Sequence, residues 1–577
     1  ARPNDKDLPV QKVLNATSTG VVKNDKAEML SPPDPPTDEI DPTLSRRDVF
    51  DVPEGTQVNE SVVVLGSTGN SIIQLESALD RVTHEIAMNL KERKVLVVWM
   101  LDASASLQKQ REVIAKRLKR IYGELDALKK AGQIPRMKEP LLTGVVSYGA
   151  ATSFLTREPT ADFETIRNSV GSVKVDESGR ENVFNAVSRT LGLWGRYHVS
   201  RRILLVNVTD EAGDDFGMLE RVIQQCRHYR ARAYVIGPSA VFGRRQGYVP
   251  YVAPEDGKTY QIPVDLGPET ARYENLVMPF WFSGPQYRYL SSGYGPYALS
   301  RLVRETGGIY FTTNTLTMTG LTPTGSYQTE QIKPFQPDYR FGSRREYEAD
   351  LLRHPLRAAV VMAARLSREN KPEGTPALDL RVTGQNFRRI ARAAQEPVAR
   401  SQLFVDNILA AFPRGIEKEL DKERSARWRM NFCLTYGRLL AMHVRCLEYN
   451  SACADLKSNL TPQDVDSTAN HWKFRPDRDV NFAISERRNA RIARELLERC
   501  IREAPGTPWA VLAKRELRHP LGIRVIKRFI PPPTPRKRTA NNAPQRRRVR
   551  LAPDPRKPQP KRKPARKPKP KPKLPRY

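Results

Sequence analysis

"VLVVWMLDASAS", residues 95–106, decides how the rest of this chain is read. Val95 to Leu101 is a near-continuous apolar run, the mark of a parallel strand buried on both faces. It stops on Asp102, Ser104 and Ser106, three side chains that offer oxygen. In α/β sheets the ligand site lies at that edge, beyond the carboxyl ends of the strands.

Working outward, Ile72, Leu75, Leu79, Val82, Ile86 and Leu90 recur at three and four residues and predict a helix immediately before the strand. After it come a charged amphipathic helix (Arg111 to Leu128), a short strand in "LTGVVSYG" and a helical stretch in "ENVFNAVSRTLGLW". A second buried strand, "RILLVNVTDE", follows, then a helix through "FGMLERVIQQCRHY", a strand "RAYVIG", and a final helix and strand in "YALSRLVRETGGIYF". Strands alternating with helices predict an α/β fold with a doubly wound, mostly parallel sheet.

With those elements in place, "DASAS" at the end of its strand resembles the D-x-S-x-S metal-ion-dependent adhesion site of von Willebrand factor type A domains, and "VNVTDE" resembles their later strand ending in T-D. The resemblance covers about residues 71–320. It implies Ser104 and Ser106 as direct ligands of a divalent ion, Asp102 and Asp210 as ligands directly or through water, and an open position for an acidic group on a partner. The chemistry suits a hard cation: Mg²⁺, with Mn²⁺ or Ca²⁺ as alternatives, takes about six oxygens and accepts hydroxyls and carboxylates from separate loops. The competing reading has Asp102 capping the next helix and Asp210 solvated in a loop.

The chain departs from the family at "SGRENVFNAV", where Glu181 stands at or beside the position of a loop threonine. A carboxylate there either joins the site and blunts the ion's pull on an incoming acid, or pairs with Arg180 and leaves the ion alone. The function this implies is non-enzymatic, metal-dependent binding or adhesion to a protein or glycan.

Residues 240–297 form an insertion crowded with aromatics, among them Tyr248, Tyr251, Trp281 and Tyr289. It leaves the carboxyl end of a strand and is expected on the metal face, where those four side chains are candidates for partner contact. The alternative is that they pack the insertion's own core. Residues 345–525 read as helices throughout, a separate all-α domain, and residues 1–70, rich in Pro, Asp and Ser, as an extended arm.

The formal net charge of +32 on 577 residues points to nucleic acid or another anionic polymer, yet roughly twenty of those charges fall in a Pro/Lys/Arg-rich tail, residues 526–577. That composition predicts disorder and a salt-sensitive affinity for cell-wall polymer, anionic lipid or nucleic acid, which is the alternative function. Without interleaved aromatics it predicts no sequence-specific nucleic-acid binding.

The five cysteines form no C-x-x-C pair, and Cys446 and Cys453, seven apart in a helical stretch, lie about 10 Å apart along its axis, too far to bridge unless the helix breaks near Asn450. No stretch has the ~18 apolar residues of a membrane helix. A start at Ala1 fits removal of a signal peptide, so export to the periplasm, cell envelope or exterior is expected, with the cytoplasm as alternative. Catalysis is not expected: "HEIAM" has Met88 where a zincin needs its second histidine, and no P-loop, nucleophile elbow or dinucleotide fingerprint is present.

Overall fold

The computed structural model describes residues 65–71, 75–252, 257–278, 290–313, 329–369 and 375–531. The apolar run becomes strand β2 (Val95–Asp102), buried along its whole length. It lies at the centre of a seven-stranded sheet with β1 (Ser67–Ser71), β3 (Leu141–Tyr148), β4 (Thr152–Phe154), β5 (Arg202–Val208), β6 (Arg232–Gly237) and β9 (Ile309–Thr312). The order is β1-β9-β6-β5-β2-β3-β4, parallel except where β4 turns back on β3.

Side chains alternate along β2, and each set meets its own layer of helices. Val95, Val97, Trp99 and Leu101 pack with α1 (Leu75–Glu92), α2 (Gln108–Lys130) and α3 (Phe163–Gly171). Leu96, Val98 and Met100 pack with α4 (Val183–Trp194), α5 (Leu219–His228) and α6 (Tyr297–Thr306). Full burial of each such side chain stabilises the fold by about 1.5–3 kcal/mol, which is why the strand tolerates no polar residue before Asp102.

Strand β1 falls within the stretch read as an arm. Its sequence, STGNS, carries no apolar signal, and it is held instead by parallel pairing to β9. The partner segment needs glycine: a Cβ on Gly308 would lie 1.9 Å from the Ala233 carbonyl oxygen.

The insertion contributes a hairpin, β7 (Gln246–Val252) with β8 (Thr259–Asp265), and then a long irregular segment. Phe242, Leu276, Met278, Leu290 and Tyr294 share one hydrophobic core with the helices that follow. Phe242 meets Trp509 edge-on at 4.8 Å, and the Tyr294 hydroxyl donates to the Ile332 carbonyl at 2.6 Å. Arg427, fully enclosed, joins the two parts through Glu274 (2.8 Å) and Glu269 (3.0 Å).

The helical part comprises α7 (Arg344–Leu352), α8 (Pro355–Glu369), α9 (Phe387–Leu409), the 34-residue α10 (Ala426–Asn459), α11 (Arg487–Glu503) and α12 (Pro508–Leu517). Helix α10 is buried on nearly every face and forms the axis around which the others pack. It runs unbroken past Asn450, and all five cysteines are free and buried.

The all-α expectation for this part is corrected by a three-stranded antiparallel sheet of β10 (Asp379–Arg381), β11 (His471–Asp477) and β12 (Gly522–Arg528). No short turn joins these strands, and charged residues interrupt their alternation, so neither local cue announces them. Strand β12 also carries the chain past residue 526, and the Asn470 side-chain amide holds the Ile530 backbone, accepting from its N–H at 2.7 Å and donating to its carbonyl at 2.8 Å.

The basic tail from residue 532 lies outside the described residues, as do residues 1–64. Truncation after Pro531 keeps the Asn470 contact and removes only sequence too poor in apolar groups to offset its own ordering. The truncated chain is expected to melt within about 2 °C of the full chain by calorimetry, since surface changes of this kind stay within ±0.5 kcal/mol. A drop of several degrees would mean that the tail docks.

Candidate metal centre

Asp102 and Asp210 are 108 positions apart and are brought together by strand register. Strands β2 and β5 are parallel neighbours, Leu101 faces Val208, and the residues that follow each strand emerge side by side at its carboxyl end. Asp102 caps no helix. Its Oδ1 accepts the Ser104 N–H at 2.8 Å, folding the D-x-S-x-S segment back over the strand end. Arg111, from the first turns of α2, donates to the carbonyls of Asp102 (2.7 Å) and Ser104 (2.8 Å) and fixes that turn from beneath.

Both serines face Asp210. Ser106 Oγ donates to Asp210 Oδ2 at 2.5 Å, and the two serine hydroxyls stand 3.0 Å apart. Asp210 is 1% exposed and so is not a solvated loop residue, whereas Ser104 and Ser106 remain partly accessible. The site therefore opens to solvent on the serine side and is closed on the carboxylate side.

Glu181 faces the site and not Arg180. It is 3% exposed, and one carboxylate oxygen each from Asp102, Glu181 and Asp210 lie within 4.8 Å of one another. The loop after Asp210 places it there: Glu181 N–H donates to Asp214 at 3.0 Å, Asp214 N–H returns to the Glu181 carbonyl at 2.9 Å, and Asp215 caps α4 through the Phe184 and Asn185 N–H groups. Among the described residues no other group of His, Cys, Asp or Glu converges in this way.

Thr209 and Glu211 complete the floor. The Thr209 hydroxyl lies 3.1 Å from Asp102 Oδ2 and 3.4 Å from Glu181 Oε2, and one oxygen of the buried Glu211 carboxylate finds no partner. Thr209 is the threonine of the T-D strand end, whereas Glu211, Arg111, Asp214 and Asp215 do not stand out in the sequence. Glu211 and the two acids of "GDD" read there as ordinary loop acids; burial marks the first, and only their hydrogen bonds to the Glu181 loop mark Asp214 and Asp215.

Four carboxylates buried beside one arginine repel one another. Burial first, then the Asp102 charge, pushes the Asp210 carboxyl up to about 7, and burial followed by the Asp210 charge pushes Glu211 up to about 9. Burial, with Asp102 next, raises Glu181 well above the usual range, and burial raises Asp102 as well. A divalent cation inverts this balance by favouring the ionised forms, and the donor set of carboxylate and hydroxyl oxygens is the one hard ions take. Asp102, Glu181, Asp210, Ser104 and Ser106 fit such an ion; its identity is left open by the donor set.

The linkage has a definite sign. A carboxyl whose folded pKa is raised stabilises the fold below its unfolded value near 4 and loses that contribution as pH rises through the folded value. In chelator, stability should therefore fall from about pH 5 to pH 9, through the values of Asp210 and Glu211. Saturating Mg²⁺ should remove most of that fall, so its effect on melting temperature is expected to be larger at pH 8.5 than at pH 6 by differential scanning fluorimetry. Equal shifts at both pH values would show that the ion binds elsewhere.

Of the aromatic candidates, Tyr248 is half-buried on β7, and Tyr251 lies on the same strand. Trp281 and Tyr289 lie outside the described residues. The insertion does reach the metal loop, because the Ala212 N–H donates to the Asp265 carbonyl at the end of β8 at 2.9 Å.

No protein-family model matches this chain, and no curated protein does. Among solved structures it is similar to the conserved hypothetical protein BatB from Bacteroides thetaiotaomicron, at 12% identity over 38% of this chain and 89% of that one, with a TM-score of 0.24. It is also similar to proximal thread matrix protein 1 from the mussel byssus with a zinc-occupied MIDAS motif, at 11% identity over 26% of this chain and 36% of that one, TM-score 0.21. A third similarity is to the three N-terminal domains of the type V pili tip protein Mfa5 from Porphyromonas gingivalis, at 15% identity over 21% and 20% of the two chains, TM-score 0.16. Each similarity is confined to part of this chain, whose architecture rests on the sheet order and register described above.

Proposed function

We propose that residues 65–313 form a von Willebrand factor type A-like domain that holds one divalent cation and, through it, binds an acidic group on a protein partner. The observation that carries this reading is the convergence of Asp102, Glu181 and Asp210 within 4.8 Å at the carboxyl edge of the sheet, beside the hydroxyls of two partly accessible serines. The two serines sit at the accessible side of the site and are the residues an incoming carboxylate would meet. Asp102, Thr209 and Arg111 hold the geometry from behind. The chain acts as a binding protein without catalysis, and Mg²⁺ is the first ion to test.

An exported setting agrees with adhesion. Among the described residues no helix is long and apolar enough to cross a membrane. The test is a pull-down from native extract by the full chain, with and without chelator. Capture that survives chelation but is lost with added salt would transfer the activity to the basic tail, because phosphate-type contacts are screened by salt and metal bridges are not.

A further inference from the structure

At the seam between the insertion and the helical part lies a cavity of about 60 Å³. That is room for a small group such as one tetrahedral oxyanion. Arg244, Arg438 and Arg515 line it, and no aspartate or glutamate does among the described residues. Asn275 lines it too. This side chain is 7% exposed, yet neither its amide nitrogen nor its amide oxygen finds a partner.

The backbone around Asn275 is held in place. Arg368 donates to the carbonyls of both Asn275 (2.9 Å) and Gly243 (2.8 Å), and a Cβ on Gly243, whose φ is +67°, would lie 2.4 Å from that of Asn275. The wall carries positive charge. Glu516 accepts from both Arg438 and Arg445, and burial followed by the charge of Arg244 lowers the pKa of Arg368. Arg244 is exposed and marks the mouth.

An unsatisfied buried amide is costly, and guanidinium forks match tetrahedral oxyanions. We propose that this cavity binds one phosphate group, as inorganic phosphate or as the head of a small monoester, with Arg244, Arg438, Arg515 and Asn275 as its donors. Hydrogenphosphate also carries a proton that the Asn275 carbonyl oxygen accepts, a bond that sulfate cannot offer. The site is independent of the metal centre, since its residues come from the insertion, α10 and α12 and include none of the metal-site side chains.

The test is calorimetric titration of inorganic phosphate, sulfate and glycerol 3-phosphate into the full chain in chelator, for wild type, Arg244→Gln and Asn275→Ala. The basic tail is the same in all three and contributes equally to each. Wild type is expected to bind one phosphate per chain, several-fold tighter than sulfate, and both substitutions should weaken it tenfold or more. Glycerol 3-phosphate binding as tightly as phosphate supports a monoester as occupant, and binding of phosphate alone supports the free ion. Arg244 is exposed, so its substitution leaves the fold intact and decides the matter even if Asn275→Ala does not fold. Phosphate heats in Arg244→Gln equal to those of wild type, or none in wild type, would overturn the proposal.

Discussion

Asp102→Ala is expected to weaken Mg²⁺ or Mn²⁺ binding by about 100-fold or more, beyond the 10–100-fold typical of losing an outer-shell partner. The expectation follows from position. Asp102 is at the end of the central strand, 1% exposed, with its oxygens held by the Ser104 N–H and Thr209 hydroxyl, so neither water nor a neighbouring side chain can move in to replace it. The same change removes one of four mutually repelling buried carboxylates. The variant should therefore keep or gain melting temperature in chelator while losing the increase that Mg²⁺ gives wild type. Calorimetry and fluorimetry read the two effects separately. Undiminished heats in the alanine variant would remove Asp102 from the ligand set, whereas a lower melting temperature in chelator would assign it a structural role through the Ser104 turn.

Glu181→Thr is expected to move two affinities in opposite directions. Glu181 is within 4.8 Å of the other two carboxylates, so in its ionised form it attracts a divalent ion and neutralises part of the charge that would otherwise act on a partner's acid. Removing it should weaken Mg²⁺ about tenfold, roughly 1.4 kcal/mol, and strengthen a carboxylate-bearing ligand at saturating Mg²⁺ by a similar factor. The Glu181 backbone remains held by Asp214, so the loop should keep its place. The two constants are measured by titrating Mg²⁺ and then acetate or an acidic peptide. If both affinities are unchanged, Glu181 does not act on the ion; if both fall, the substitution has disturbed the loop.

How much of this was legible in the sequence depended on whether the deciding interaction was local. The strand Val95–Asp102 declares itself because burial on both faces demands consecutive apolar residues, and α1 declares itself by its three-and-four spacing from Leu75 onward, Ile72 lying outside the described residues. The D-x-S-x-S segment and Thr209-Asp210 were readable as strand-end chemistry for the same reason. By contrast, β1 and the sheet of β10, β11 and β12 depend on pairing between segments scores of residues apart, and their side chains carry no clear period.

The direction of Glu181 was likewise left open by its sequence neighbours, because Arg180 lies next to it and Asp102 and Asp210 lie far away in the chain. The parallel register of β2 and β5, together with the Asp214 and Asp215 contacts, decided it. The insertion's aromatics show the same limit. Their composition suggested a self-contained core or an open binding face, whereas the packing of Phe242 and Tyr294 against the helical part required knowing where Trp509 and Ile332 come to rest. The sequence by itself determined which strands are buried and which oxygen ligands follow them, since those are properties of a few adjacent residues. Only the tertiary structure decided which acids share one site and which surfaces become core, because both depend on distances between residues that the chain brings together only when it folds.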